Sequence, residues 1–88
     1  MKVKLLATLR NITGNSEVEL EADNVEEVMD ILISIYDTDM KDELLEDGEL
    51  KEEVTVLVNG RNILYLDGVN TLLDENDKVT IFPRVAGG

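Results

Sequence analysis

The residues most open to chemistry lie at the end of the chain, Phe82-Pro83-Arg84-Val85-Ala86-Gly87-Gly88. Pro83 fixes its own φ and has no N–H, so it is expected to end a strand and lead the backbone out of sheet pairing. Beyond it no aromatic side chain anchors the segment, and Gly87 and Gly88 carry no side chain. Such a segment is slim enough to thread a narrow channel, and a glycine carboxylate has no β-carbon to hinder attack at its carbonyl. Ordering each residue costs about 1–2 kcal/mol, so a partner that uses the tail must also grip the folded body. The bland alternative is a fraying glycine end with no role.

The remaining composition excludes most other chemistry. The chain has 88 residues, no Cys and no His, so zinc sites, disulfides, thiol nucleophiles and imidazole bases are all ruled out. Its net charge of −12 argues against nucleic acid or an anionic membrane surface as a direct partner. The same charge on so small a body disfavours tight self-association, so a monomer is expected when free. Asp37, Asp39 and Asp42 suggest calcium at first, but Lys41 replaces an oxygen ligand and Asp42 stands where an EF-hand loop needs Gly. No metal site and no cofactor are expected. A pair of carboxylates acting as acid and base would need a cleft and a raised pKa, which a small open sheet supplies poorly. The scattered internal glycines Gly14, Gly48, Gly60 and Gly68 form no phosphate cradle, so the chain cannot activate its own carboxylate. It reads as a reagent, not an enzyme. Met1–Leu9 makes a poor signal peptide, broken by Lys4 and Thr8, and the expected location is cytoplasmic.

Alternation through Val3, Leu5, Ala7 and Leu9 predicts a first strand, and Asn11–Asn15 a turn. Glu17–Ala22 then predicts a second strand and completes a hairpin. Asn24 reads as a helix N-cap with Glu27 as its capping-box partner, and Val25, Val28, Met29, Leu32, Ile35 and Tyr36 form one apolar stripe. Residues 37–53 are expected to be irregular and mobile, with Leu44, Leu45 and Leu50 as apolar pins. Val54–Val58 is a strand closed by the Asn59-Gly60 turn, with Ile63–Leu66 as its return. Thr71–Leu73 is expected to make one turn, and Val79–Phe82 the last strand, ended by Pro83. The fold class is α+β, a five-stranded mixed sheet around one main helix. Setting the first and last strands side by side and parallel gives the β-grasp. The domain is expected to span 1–83, with 84–88 as a flexible Gly-Gly tail.

If the alternating valines and isoleucines face the helix, Leu6, Leu57 and Phe82 face the other way and form an apolar patch for a partner. The alternative is three scattered surface residues, or a loop that covers them.

A β-grasp pattern ending Phe82-Pro83-Arg84-Val85-Ala86-Gly87-Gly88 resembles the MoaD/ThiS family of ubiquitin-like sulfur carriers, including the small archaeal modifier proteins. The likeness runs through Lys2–Arg10, the Asn24-capped helix, Val54–Gly60 and Asn76–Val79; Arg84 stands where many relatives have a second Pro. The resemblance implies that an E1-like enzyme uses ATP to adenylate the Gly88 carboxylate. The adenylate would become a thiocarboxylate that donates sulfur for molybdopterin or tRNA thiolation, or would be captured by a lysine as an isopeptide. Gly87, Ala86, Val85 and Arg84 would then contact the enzyme's tail channel. Implied partners are the E1-like enzyme and either a sulfur acceptor, such as a molybdopterin synthase large subunit, or target-protein lysines. Lys2, Lys4, Lys41, Lys51 and Lys78 are candidate acceptors for another copy, with no order among them. The rival reading is a non-covalent β-grasp binding module that uses only the Leu6, Leu57 and Phe82 face.

Overall fold

The computed structural model describes residues 1–84. Val3 and Leu5 point inward from β1 (Lys2–Leu5) while Lys2 and Lys4 stay exposed, as alternation requires. β1 pairs antiparallel with β2 (Glu17–Glu19) and parallel with β7 (Lys78–Pro83). β7 pairs antiparallel with β5 (Val54–Val58), which carries the short β6 (Arg61–Asn62) at the far edge. The five-stranded order is therefore β2-β1-β7-β5-β6, the mixed sheet of a β-grasp domain. Its central pair is parallel because the whole domain separates the first strand from the last.

One face of this sheet, Val3, Leu5, Val54, Val56, Val58, Val79 and Ile81, forms the core with Val25, Val28, Met29 and Leu32 of α2 (Val25–Leu44). Asn24 starts that helix by accepting the Glu27 N–H at 2.8 Å, and Glu26 and Glu27 occupy the first turn, where the helix dipole favours acids. The Asn59-Gly60 turn has φ 51° and 84°, the left-handed pair that closes a two-residue hairpin.

Several expectations are corrected. The first strand does not run to Leu9. Ala7 breaks it at φ 56°, and Thr8–Thr13 forms a short helix, α1. Leu9 is buried and Ile12 half-buried, a three-residue spacing that suits a helix lying on the end of α2. Thr8 Oγ1 donates to Glu43 Oε2 at 2.9 Å across that contact. Nor does the main helix end at Tyr36. Asp37, at φ 57° and ψ −142°, kinks it, and helix then resumes to Leu44. Met40 and Leu44, four residues apart, bury completely, which offsets the cost of the kink; between them Asp42 is exposed and Glu43 is the half-buried acceptor of the Thr8 bond. Beyond it β3 (Leu45–Glu46) and β4 (Glu49–Leu50) form a small hairpin turned by Asp47 and Gly48, so 37–53 is not an irregular connection.

After β5 the return strand is Arg61–Asn62, and Ile63–Tyr65 is a 3-10 turn capped by Asn62 Oδ1, which accepts the Leu64 N–H at 3.0 Å. Ile63 is buried, whereas Leu64 and Tyr65 are 80% and 87% exposed, a pattern no half-buried strand produces. The turn placed at Thr71–Leu73 sits instead at Gly68–Asn70. Thr71 is buried because its hydroxyl donates to the Gly68 carbonyl and accepts the Asp67 N–H. Pro83 does not leave the sheet either: it pairs with Val54, and Arg84 N–H donates to the Glu53 carbonyl. The even-numbered residues of β7 are the ones bonded to β5, as the Asn59 N–H to Lys78 carbonyl bond at 2.8 Å also marks. Pro83 therefore needs no donor on that side, and on the other side β1 has already turned away at Ala7.

Candidate functional site

β7 is the element that matters most, since it lies between β1 and β5 and leads directly into the tail. A strand bonded on both edges is the least able to shift, so Phe82 and Pro83 are held at a fixed place on the sheet. Arg84, exposed, is the last residue described; Val85, Ala86, Gly87 and Gly88 lie outside the described residues.

The sheet face opposite α2 is uncovered among the described residues. Register places Leu5 beside Ile81, so Leu6 follows level with Phe82, and the Leu6 N–H donates to the Ile81 carbonyl at 3.2 Å. Across the other edge of β7, Phe82 faces Thr55 and Thr80 faces Leu57, which puts Leu57 diagonal to Phe82. Leu57 and Phe82, on neighbouring strands, and Leu6, just past the end of β1, thus share one face, close to Arg84. Leu6 is 38% exposed, and Leu57 and Phe82 are half-buried.

A feature the sequence reading passed over adjoins this patch. Lys2 and Lys78 are register partners on the central parallel pair, and Lys4 lies beside Thr80. All three project from the open face, since their neighbours Val3, Leu5 and Val79 point to the core. Lys2 Nζ lies 3.8 Å from Glu17 Oε1, an exposed pair of small energetic weight. Lys4 and Lys78 have no carboxylate within ion-pair distance among the described residues. The signal was present in the parity of positions 2, 4 and 78, but it has meaning only once β1 and β7 are known to be parallel and in register.

The turn beneath Lys78 is locked. Asn59 Oδ1 accepts the Lys78 N–H at 2.9 Å, and Asn59 Nδ2 donates to Asp77 Oδ1 at 2.8 Å. Asp77 Oδ2 also accepts the Asp74 N–H at 2.7 Å. The Asp74 N–H first, and the Asn59 amide second, hold the Asp77 carboxyl below its ordinary pKa. Each of its oxygens thus accepts one bond within the turn.

On the far side of β5 lies an apolar groove lined by Leu50, Val54, Val56, Ile63 and Val69, with exposed Leu64 at its rim. Lys51, Glu52, Thr55 and Asn62 supply its polar lining. Among the described residues no helix is long and apolar enough to cross a membrane.

Comparison with known proteins matches this geometry. The ThiS family model covers residues 3–88. Small archaeal modifier protein 3 of Haloferax volcanii is 41% identical over 91 residues, covering 100% of this chain and 98% of that one. The solution structure of small archaeal modifier protein 1 from Methanosarcina acetivorans superposes with a TM-score of 0.89 at 36% identity, covering 99% of this chain and 94% of that one. A chain in the crystal structure of the BexX/CysO complex of Amycolatopsis orientalis gives a TM-score of 0.87 at 30% identity, covering 99% and 98%. With family, fold and relatives in agreement, the chain belongs to the ThiS family of ubiquitin-like sulfur carriers and small archaeal modifiers, which are small carrier proteins and not themselves enzymes.

Proposed function

We propose that the working group of this protein is the Gly88 carboxylate, activated by an E1-like enzyme and then used for sulfur transfer or lysine conjugation. A carboxylate oxygen attacks the α-phosphorus of ATP, pyrophosphate leaves, and an acyl-adenylate remains on Gly88. A sulfide equivalent that displaces AMP leaves a thiocarboxylate, a sulfur donor for molybdopterin or tRNA thiolation. A lysine amine that displaces AMP, losing a proton, leaves an isopeptide bond instead. The two routes share every step to the adenylate, so the acceptor decides between them: a molybdopterin synthase large subunit or similar enzyme, or target-protein lysines.

The observation that carries this reading is the position of β7. The strand that precedes the tail is the central one, and it carries Phe82 of the open apolar face two residues before Arg84. A partner that covers Leu6, Leu57 and Phe82 holds the body while Arg84, Val85, Ala86 and Gly87 enter its channel. That meets the ordering cost set by a tail without side-chain anchors. Dependence on ATP assigns the work to the cytoplasm.

The test uses the E1-like enzyme from the same cells, with ATP, and reads pyrophosphate release. The intact chain is expected to support it and a chain lacking Gly87 and Gly88 to abolish it, with unchanged circular dichroism. Phe82→Asp, still folded, is expected to raise the half-saturating concentration. Cellular activity that survives removal of Gly87 and Gly88 would leave the non-covalent binding module as the better account.

A further inference from the structure

We propose that the open sheet face docks onto a protein surface that carries carboxylates, placed to meet Lys4 and Lys78, although the chain as a whole is strongly acidic. The inference rests on the reading above, that a partner covers Leu6, Leu57 and Phe82, and it adds what that partner must be made of.

Area sets the first constraint. A stable protein interface buries about 800 Å² on each side, roughly a patch 28 Å across. The whole domain measures 29 × 25 × 24 Å, so a partner centred on the apolar residues covers essentially the entire open face. Lys4, on β1, is only two residues from Leu6 just past its end, about 7 Å along extended chain. Lys78 is four residues from Phe82 on β7 and directly beside Lys2. Neither can be left outside such an interface.

Chemistry sets the second. An ammonium group has three donors and no acceptor, and burying it unpaired is costly. The chain supplies only a partial remedy. Glu17 lies opposite Lys4 and Glu19 opposite Lys2 on the edge strand, and Glu17 is also 3.8 Å from Lys2 Nζ. Each oxygen of Asp77 already accepts one bond, from Asn59 and from Asp74, so three ammonium groups share two edge carboxylates. The acids of α2 are on the other side of the sheet, and salt with a Debye length of about 8 Å screens them. The central strands of the face therefore present ammonium groups at one end and apolar side chains at the end nearest the tail. A complementary partner has an apolar centre beside its tail channel and carboxylates at the distal end. Protein carboxylates fit better than nucleic-acid phosphates, because a phosphate backbone has no use for Leu57 and Phe82 and is repelled by a net charge of −12.

The experiment uses the full chain and the E1-like enzyme from the same cells. A zero-length carbodiimide, which joins an amine only to a carboxylate in direct contact, is added to the mixture, and cross-linked peptides are identified by mass spectrometry. Links from Lys4 or Lys78 to Asp or Glu of the enzyme are expected, and none from Lys41, which is exposed on α2. In parallel, Lys4→Glu and Lys78→Glu are each expected to raise the half-saturating concentration for adenylation roughly 5- to 20-fold at low salt, converging on wild type in high salt. Lys41→Glu, with the same change in net charge, is expected to move it less than about twofold. If Phe82→Asp weakens the interaction while both lysine reversals leave it unchanged or tighten it, the face is used but not through carboxylates, and this inference alone fails. If neither kind of variant has an effect, the docking reading beneath it fails too. Absence of lysine cross-links to the enzyme, together with a Lys4- and Lys78-dependent gel shift of transfer RNA, overturns it in favour of a nucleic-acid surface.

Discussion

Met40→Ala separates an ordered segment after the Asp37 kink from the irregular connection that its acidic sequence suggests. Met40 has no exposed surface and belongs to the same core cluster as Leu9 and Leu44, where α1 meets α2. Truncating a fully buried Met to Ala removes its transfer energy and leaves a partly unrelaxed cavity, together about 2–5 kcal/mol. An 88-residue domain has an unfolding entropy near 0.18 kcal/mol/K, at about 2.1 cal/mol/K per residue, so a loss of about 3 kcal/mol lowers Tm by roughly 16 °C. Ile35→Ala, on the same helix but 57% exposed, is the control and is expected to cost about 0.5 kcal/mol or less, roughly 3 °C. The assay is thermal unfolding followed by circular dichroism, with a urea titration to check that the m-value is unchanged. A Met40→Ala shift no larger than that of Ile35→Ala refutes the packing described for residues 38–44. It would also remove the support on which α1, and hence the turn at Ala7 beside Leu6, rests.

Asp37 at φ 57° and ψ −142° holds a conformation suited to glycine, so Asp37→Gly is expected to raise stability by about 0.5–2 kcal/mol, after the entropic cost of Gly, in a denaturant titration. Asp37→Ala keeps the strain and is expected to give no such gain; equal effects from the two would show the kink is unstrained. Asn24→Ala removes the cap that accepts the Glu27 N–H and should cost about 1 kcal/mol in the same titration, whereas a change below about 0.3 would mean the cap is idle. The Asp77 carboxyl is held below its ordinary value of 3.8, so its ionised form stabilises the fold above that pH and the benefit is lost as pH falls through the lower folded value. Asp77→Asn should therefore be less stable than wild type near pH 7 and level with it in acid below the folded pKa. A gap that does not close with acid would contradict the assignment.

The parts of the fold legible in the sequence are those fixed by local signals. Asn24 with Glu27, the alternating valines of β5 and the Asn59-Gly60 turn each carry their meaning within a few residues. Parallel pairing of β1 and β7 followed from connectivity alone. The failures share a cause, which is that two local patterns fitted the same residues. Leu9 continues the period-two pattern of Val3 and Leu5 yet also pairs with Ile12 at helical spacing, and only the presence of α2 beneath it decides the matter. Met40 and Leu44 form a short stripe hidden among acids. Ile63-Leu64-Tyr65-Leu66 looks like a strand by composition, but only Ile63 is fully buried. At the site, Leu6, Leu57 and Phe82 could be grouped from parity. The lysines could not, because their grouping depends on the long-range register of Lys2 with Lys78.

The account rests on the Gly88 carboxylate being the group that reacts. The most direct test is the intact mass of this chain purified from its own cells without reducing or alkaline treatment, alongside digests of the heavier species. The account predicts a form with one oxygen replaced by sulfur, absent when Gly88 is deleted, or Gly-Gly remnants on lysines of larger conjugates. A chain found only as the free carboxylate, with no remnant on any lysine and full activity in cells without Gly87 and Gly88, would contradict it.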